Sequence, residues 1–380
     1  MKKKAMKHSF LAVILVIGVF VFTLNPVLGE DLFQEGLRYY FRGELQEAQE
    51  NFTQAVEDQP ENARYLFFLG NTFYRLDQFS DAEEAYRRVM ELDSNYTPAR
   101  KRLAELYIEQ ENWKEAEKQF EKLLEEEPQD FEHRLNLGII LFQTEKFDRA
   151  RDQLLKAREI QPGEPEVHFY LGRIALQRRE YLSAVSRLQR AIELNPSAGI
   201  YYFYRGLARF HNEDYLSQND ADWNSASDFR RALDMGADSP RSRFMLANSF
   251  LNRGLFSLRE NNLERGVDQL RSAVEEYRKV LSGDWSASNA YHNMGVAYLG
   301  IGNLELARRA VEEAVAEEPT TPFFHDTLGE IYFRQGKFNE ALEAWNLVIE
   351  LEPDYKENPF ADLLELRSLS DRRREARIRK

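Results

Sequence analysis

The strongest constraint on this 380-residue chain is a recurrence every 34 residues. Pro128, Pro162 and Pro196 are each 34 positions apart, as are Pro319 and Pro353, and Pro60 precedes Pro128 by 68. Each segment holds an early small residue, at Gly36, Gly70, Ala104, Gly138, Gly172, Gly206, Ala247, Gly295 and Gly329. Most hold a second one twelve positions later, at Ala48, Ala82, Ala116, Ala150, Ala184, Ala307 and Ala341, with Ser225 and Ala273 in the corresponding place of two longer segments. A phase kept over nine segments argues against a string of unrelated bundles and for one stacked supersecondary unit.

The unit reads as two helices. Leu66, Leu69, Gly70 and Phe73 fall at i, i+3, i+4 and i+7, one apolar stripe on a first helix. Gly70 and Ala82 let the two backbones approach, Tyr86 and Val89 fill the space between units, and a closing Pro stops the second helix. On these residues the chain resembles the tetratricopeptide repeat, a helix, turn and helix with small residues at fixed positions. The resemblance runs from Gly29 to Tyr355. It implies an all-α α-solenoid, a right-handed superhelix of about nine antiparallel helix pairs over 30–355, with a capping helix and basic tail over 356–380.

Two units break the period, at about 199–239 and 240–287. Between Gly206 and Ser225 there are seven extra residues, and between Ala247 and Ala273 fourteen. Fourteen residues are close to four helical turns, about two per helix, so packing phase survives if Pro240–Glu260 and Asn262–Leu281 form a long hairpin. The alternative is a longer loop. Beyond Pro353, Asn358-Pro359 reads as a cap and first helical residue, with Phe360, Leu363 and Leu364 covering the last repeat.

The first 29 residues read as a signal peptide. Lys2, Lys3, Lys4 and Lys7 precede the apolar run Phe10–Leu24, and Pro26 precedes a small residue, so cleavage is expected between Gly29 and Glu30. An uncleaved anchor is the alternative, since Ser9–Gly29 carries no charge. Either way the body is expected across the inner membrane, periplasmic or envelope-associated, or anchored facing the periplasm. The formal charge is −13, and loss of those four lysines leaves −17, which disfavours nucleic acid as a partner. The absence of cysteine excludes disulfides, thiolate metal sites and a cysteine nucleophile.

Catalytic signatures are missing. His133, His168, His211, His292 and His325 are singletons without ligand spacing, and no phosphate loop or nucleophile elbow occurs. Asp220-Ala221-Asp222-Trp223-Asn224, with Asp228 beyond, imitates the start of a calcium loop. Ser225 replaces its glycine and Arg231 its bidentate Glu, and the run also suits an acidic helix start. No catalytic residue, cofactor or metal is therefore expected. The basic tail, Arg372, Arg373, Arg374, Arg377, Arg379 and Lys380, suits a helix carboxyl end or an anionic surface.

The resemblance implies a groove lined by first helices. Carried onto this register, its positions are Phe33, Leu37, Tyr40, Phe67, Asn71, Tyr74, Leu135, Ile139, Phe142, Phe169, Arg173, Phe203, Phe210, Phe244 and Asn248. Phe67 and Phe244 stand where a carboxylate-gripping Lys would be, so an apolar or amphipathic segment suits the stripe better, with Asn71, Asn248 and Arg173 bonding its backbone. The same positions also suit packing between helices. The expected function is a non-catalytic exported scaffold for proteins or peptides, the alternative a structural subunit of an envelope assembly docking through hairpin and tail. Oligomeric state is not legible.

Overall fold

The computed structural model describes residues 26–212, 225–237, 239–283, 287–356 and 358–380. Most of the proposed leader and the run Asp220–Asn224 lie outside the described residues. Among the described residues there are nineteen helices and no strand. They fall into two compact units, divided after Ile160.

The first unit contains α1 (Pro26–Arg42), α2 (Leu45–Asp58), α3 (Ala63–Arg75), α4 (Phe79–Leu92), α5 (Thr97–Glu109), α6 (Trp113–Glu126), α7 (Phe131–Gln143) and α8 (Phe147–Ile160). The second contains α9 (Pro165–Gln177), α10 (Tyr181–Leu194), α11 (Gly199–His211), α12 (Ser225–Asp234), α13 (Pro240–Arg259), α14 (Leu263–Leu281), α15 (Ser288–Ile301), α16 (Leu304–Glu317), α17 (Pro322–Arg334), α18 (Phe338–Leu351) and α19 (Leu369–Arg379). Odd-numbered helices up to α17 are the first helices of nine pairs. The second small residue of every pair, from Ala48 to Ala341, is fully or almost fully buried where the two helices of a pair meet. Each buried Leu or Phe around them contributes about 1.5–3 kcal/mol.

In the eight pairs whose inner turn is described, that turn has a left-handed residue. Glycine supplies it at Gly43, Gly302 and Gly336, with φ between 77° and 86°. Asp77, Glu111, Glu145, Arg179 and Asn261 adopt it instead with φ between 53° and 59°, at about 1 kcal/mol of backbone strain for all but Asn. Four turns between pairs are braced from the following first helix. Arg100 and Arg134 donate to the carbonyls of Ser94 and Pro128, and His168 and His325 donate through Nε2 to those of Pro162 and Pro319 at 3.1 and 2.7 Å. Two of the singleton histidines are thus turn braces.

The long hairpin is present, as α13 of 20 residues and α14 of 19 against 13 and 14 in ordinary pairs. Its added layer has its own small-residue contact. A Cβ at Gly254 or Gly266 would stand 3.1 Å from the other's carbonyl oxygen, so the two backbones touch there.

The carboxyl end corrects the sequence expectation. Residues 359–365 form turns, and the helix starts only after Ser368, whose hydroxyl accepts the Asp371 N–H. Asn358 does accept the Phe360 N–H at 2.9 Å, as a cap would, and its amide donates to Thr327 Oγ1 at 3.0 Å, but the segment runs on as turns and not as a helix. Phe360, Leu363 and Leu364 nevertheless pack on the preceding repeats, against the core that includes Leu328 and Ile331.

Candidate partner-binding face

The proposed groove residues all sit on first helices, but they differ in what they can offer. In the first unit Leu37, Tyr40, Phe67, Tyr74 and Ile139 are half-buried, whereas Leu135 and Phe142 are buried. Phe33 is wholly covered: its ring meets Phe52, Tyr65 and Phe68 at centroid distances of 5.5, 4.5 and 5.5 Å, so it belongs to the core and offers no groove surface. In the second unit Phe169 and Phe203 are buried, and Arg173, Phe210, Phe244 and Asn248 are half-buried.

A repeated packing rule explains the pattern. The aromatic ring on the first helix leans on an aromatic ring of the second: Phe33 on Phe52, Phe67 on Tyr86, Phe203 on Phe229 and Phe244 on Tyr277, at 5.5–6.1 Å. Where the second ring is Tyr, burial raises its pKa and its hydroxyl requires an acceptor. Asn71 accepts the Tyr86 hydroxyl at 2.8 Å, and Asn248 accepts that of Tyr277 at 2.6 Å and the Asn293 amide at 3.0 Å. The carbonyl oxygens of Asn71 and Asn248 thus serve buried tyrosines, which leaves their amide N–H groups as the part that could meet a bound backbone. Arg173 lies over the rings of Phe169, Tyr170 and Tyr204, at 5.5, 5.4 and 4.8 Å from their centroids.

At the rim of the first unit, Tyr74 bonds Glu109, and that bond, with burial second, pushes its pKa up to about 12. Arg75 lies 4.7 Å over the Tyr40 ring and donates to its carbonyl at 3.0 Å. This leaves a half-buried patch on α1 and α3 of Leu37, Tyr40, Phe67 and Tyr74, with polar atoms at its edge.

Two features escaped the sequence reading. Asp228, offered above as a distant calcium ligand, is buried between two arginines, accepting from Arg205 Nε at 3.0 Å and from Arg209 Nη1 at 2.8 Å. Its carboxylate is shared between the two guanidinium groups and is closed to an ion. In the last two pairs the chain covers its own first helices: the Phe360 ring lies 5.9 Å from His292 of α15, and Arg372 of α19 reaches back to Asp326 of α17 at 2.8 Å, both partners buried. Arg372 is thus removed from the supposed basic tail, and Arg373 bonds Asn346. The signal for this pairing was the appearance of acids, Asp326 and Glu330, at positions that are apolar or amide in most other repeats. Among the described residues no helix is long and apolar enough to cross a membrane.

Stacked helix pairs with small-residue contacts, an aromatic stripe on the first helices and no assembled reaction centre among the described residues define a helical-repeat scaffold for protein–protein interaction. Models of the tetratricopeptide repeat match residues 33–96, 76–137, 116–174, 169–217, 288–321 and 322–355. The chain belongs to the tetratricopeptide repeat family. It is 27% identical over 110 residues to the response regulator aspartate phosphatase E of Bacillus subtilis, covering 27% of this chain and 29% of that protein, so the chain spans under a third of that relative's length. Solved structures similar in fold include a tetratricopeptide repeat protein of Parabacteroides merdae (17% identity, 71% of this chain and 99% of that one, TM-score 0.49). MamA of Desulfovibrio magneticus is another, at 20% identity over 44% of this chain and 96% of that one, TM-score 0.42.

Proposed function

We propose that the chain is an exported, non-catalytic scaffold that holds a protein or peptide partner on first-helix faces in a bacterial cell envelope. The observation that carries this reading is the half-buried aromatic and aliphatic patch of Leu37, Tyr40, Phe67 and Tyr74 on two successive first helices. Such a patch gives an apolar or amphipathic segment anchoring rings, while Arg75 and the Tyr74 hydroxyl supply a polar rim. Export is supported by the basic start and uncharged apolar run of the sequence. Cleavage after Gly29 would leave Glu30–Arg42 of α1, thirteen residues, the length of α3, α5, α7, α9 and α11.

The test exchanges Phe67 and Tyr74 for Ser and Gln, and follows melting and partner recovery from envelope extracts with the native leader in place. Loss of partners at nearly unchanged melting supports the patch. Unchanged partners would refute it. Amino-terminal sequencing of the exported form separates cleavage from anchoring. The second reading, a structural subunit of an envelope assembly, is favoured by the exposed Leu263 at the start of α14 and Ile378 in α19. A stoichiometric complex that survives purification and is lost in Leu263→Asp would support it over transient capture.

A further inference from the structure

The turn between α6 and α7 holds an arrangement that the repeat architecture alone does not call for. Position His133 faces the preceding pair from the first turn of α7, and it is 1% exposed. The same repeat position is Tyr65, Ala99, Val167, Tyr201, Ala290 and Phe324 in six other pairs, Ser242 in the long one and an exposed Asp31 in the first. An imidazole replaces a largely apolar packing residue here, and neither of its ring nitrogens has a hydrogen-bond partner. Burying such a ring unpaired is costly, because each orphaned nitrogen has lost its water without gaining a partner. Its Nδ1 points at two carboxylates, Asp130 Oδ1 at 3.5 Å and Glu127 Oε2 at 3.6 Å.

These separations are too long for hydrogen bonds, yet they match the edge of a small coordination tetrahedron. Ligands about 2.0–2.1 Å from a zinc ion lie about 3.3–3.4 Å from one another. The three donor atoms all lie within 4.8 Å of one another. Asp130 is already fixed in place, because its Oδ1 accepts the His133 N–H at 2.7 Å and caps α7. Glu127, more than half exposed, can swing onto an ion from solvent. One imidazole and two carboxylates suit a borderline divalent ion better than magnesium or calcium, which favour all-oxygen sets.

We propose that Glu127, Asp130 and His133 bind a divalent transition-metal ion of the zinc type, with water in the fourth position. The ion ties the end of α6 to the start of α7 and gives the buried imidazole its missing partner.

The test is calorimetric titration of the full chain with zinc chloride, with magnesium and calcium chlorides as controls, alongside thermal melting. Three variants are compared with the wild type. His133→Phe copies the residue found at this position in Phe324, Asp130→Asn keeps a capping oxygen, and Glu127→Gln alters an exposed side chain that cannot unfold the turn. The expected result is one saturable zinc site per chain and a zinc-dependent rise in melting temperature. His133→Phe abolishes both, and Asp130→Asn and Glu127→Gln each weaken binding about tenfold or more. The proposal is overturned if no saturable zinc binding occurs below about 100 μM, a ΔG of about −5.5 kcal/mol, or if zinc binds His133→Phe and Glu127→Gln as it binds the wild type.

Discussion

Acid should loosen the eighth and ninth helix pairs through one residue, His292. The ring is wholly buried on α15, its Nε2 2.9 Å from Thr327 Oγ1 and its Nδ1 3.1 Å from Asn293 Oδ1, with Phe323, Phe324 and Phe360 around it. Burial in this apolar setting lowers its pKa from 6.5 to about 4, since the charged form loses its water there. The folded value lies below the unfolded one, so the contribution is fully present above about pH 6.5 and is lost as pH falls toward 4. A gap of about 2.5 pH units at about 1.36 kcal/mol each gives roughly 3 kcal/mol in the limit, and about 2 kcal/mol at pH 5. Urea unfolding of wild type and His292→Gln at pH 7 and pH 5 measures it, because carboxylates and the other histidines titrate alike in both and cancel. The wild type should lose about 2 kcal/mol more than the variant over that interval. Equal losses in the two proteins would refute the reasoning.

Asp228→Asn should cost about 3–5 kcal/mol in urea unfolding, because it leaves Arg205 and Arg209 buried without their counter-charge. A measured cost under about 1 kcal/mol would show that water reaches the pair. Gly336→Ala should cost about 1 kcal/mol, since nothing lies near the added Cβ and only the φ of 77° opposes it. The opposite change at the equivalent turn, Glu145→Gly, should stabilise by a few tenths of a kcal/mol up to about 1, less the entropy that glycine adds to the unfolded chain.

Much of the fold is legible in the sequence because its determinants are local and periodic. Gly70 with Ala82, or Gly329 with Ala341, mark the crossing of a pair at a fixed spacing, and the long hairpin follows from counting fourteen residues. The turn is less legible: Asp77, Glu111, Glu145 and Arg179 take a left-handed backbone that only neighbouring helices impose, and no glycine announces it. The groove was half legible. First-helix positions came from the register, but the carbonyl oxygens of Asn71 and Asn248 look available until Tyr86, 15 residues on, and Tyr277, 29 on, are seen to need an acceptor. Asn358-Pro359 carries a local helix-start signature whose capping bond to Phe360 forms, yet the segment runs on as turns, with the Asn358 amide tied to Thr327, 31 residues back.

The covering of α15 and α17 by the chain's own carboxyl segment separates two kinds of boundary. The last match to the repeat model ends at residue 355, where a designer of fragments would cut. The cooperative structure continues past it. A chain stopped at 355 would strip Phe360, Leu363 and Leu364 from the apolar surface of the preceding repeats, and would leave Asp326 and Glu330 without Arg372. That fragment would present a sticky face next to one unneutralised acid, Asp326, while Glu330 kept Arg334 at 2.7 Å, so any self-association or ligand capture it displayed would be a property of the cut.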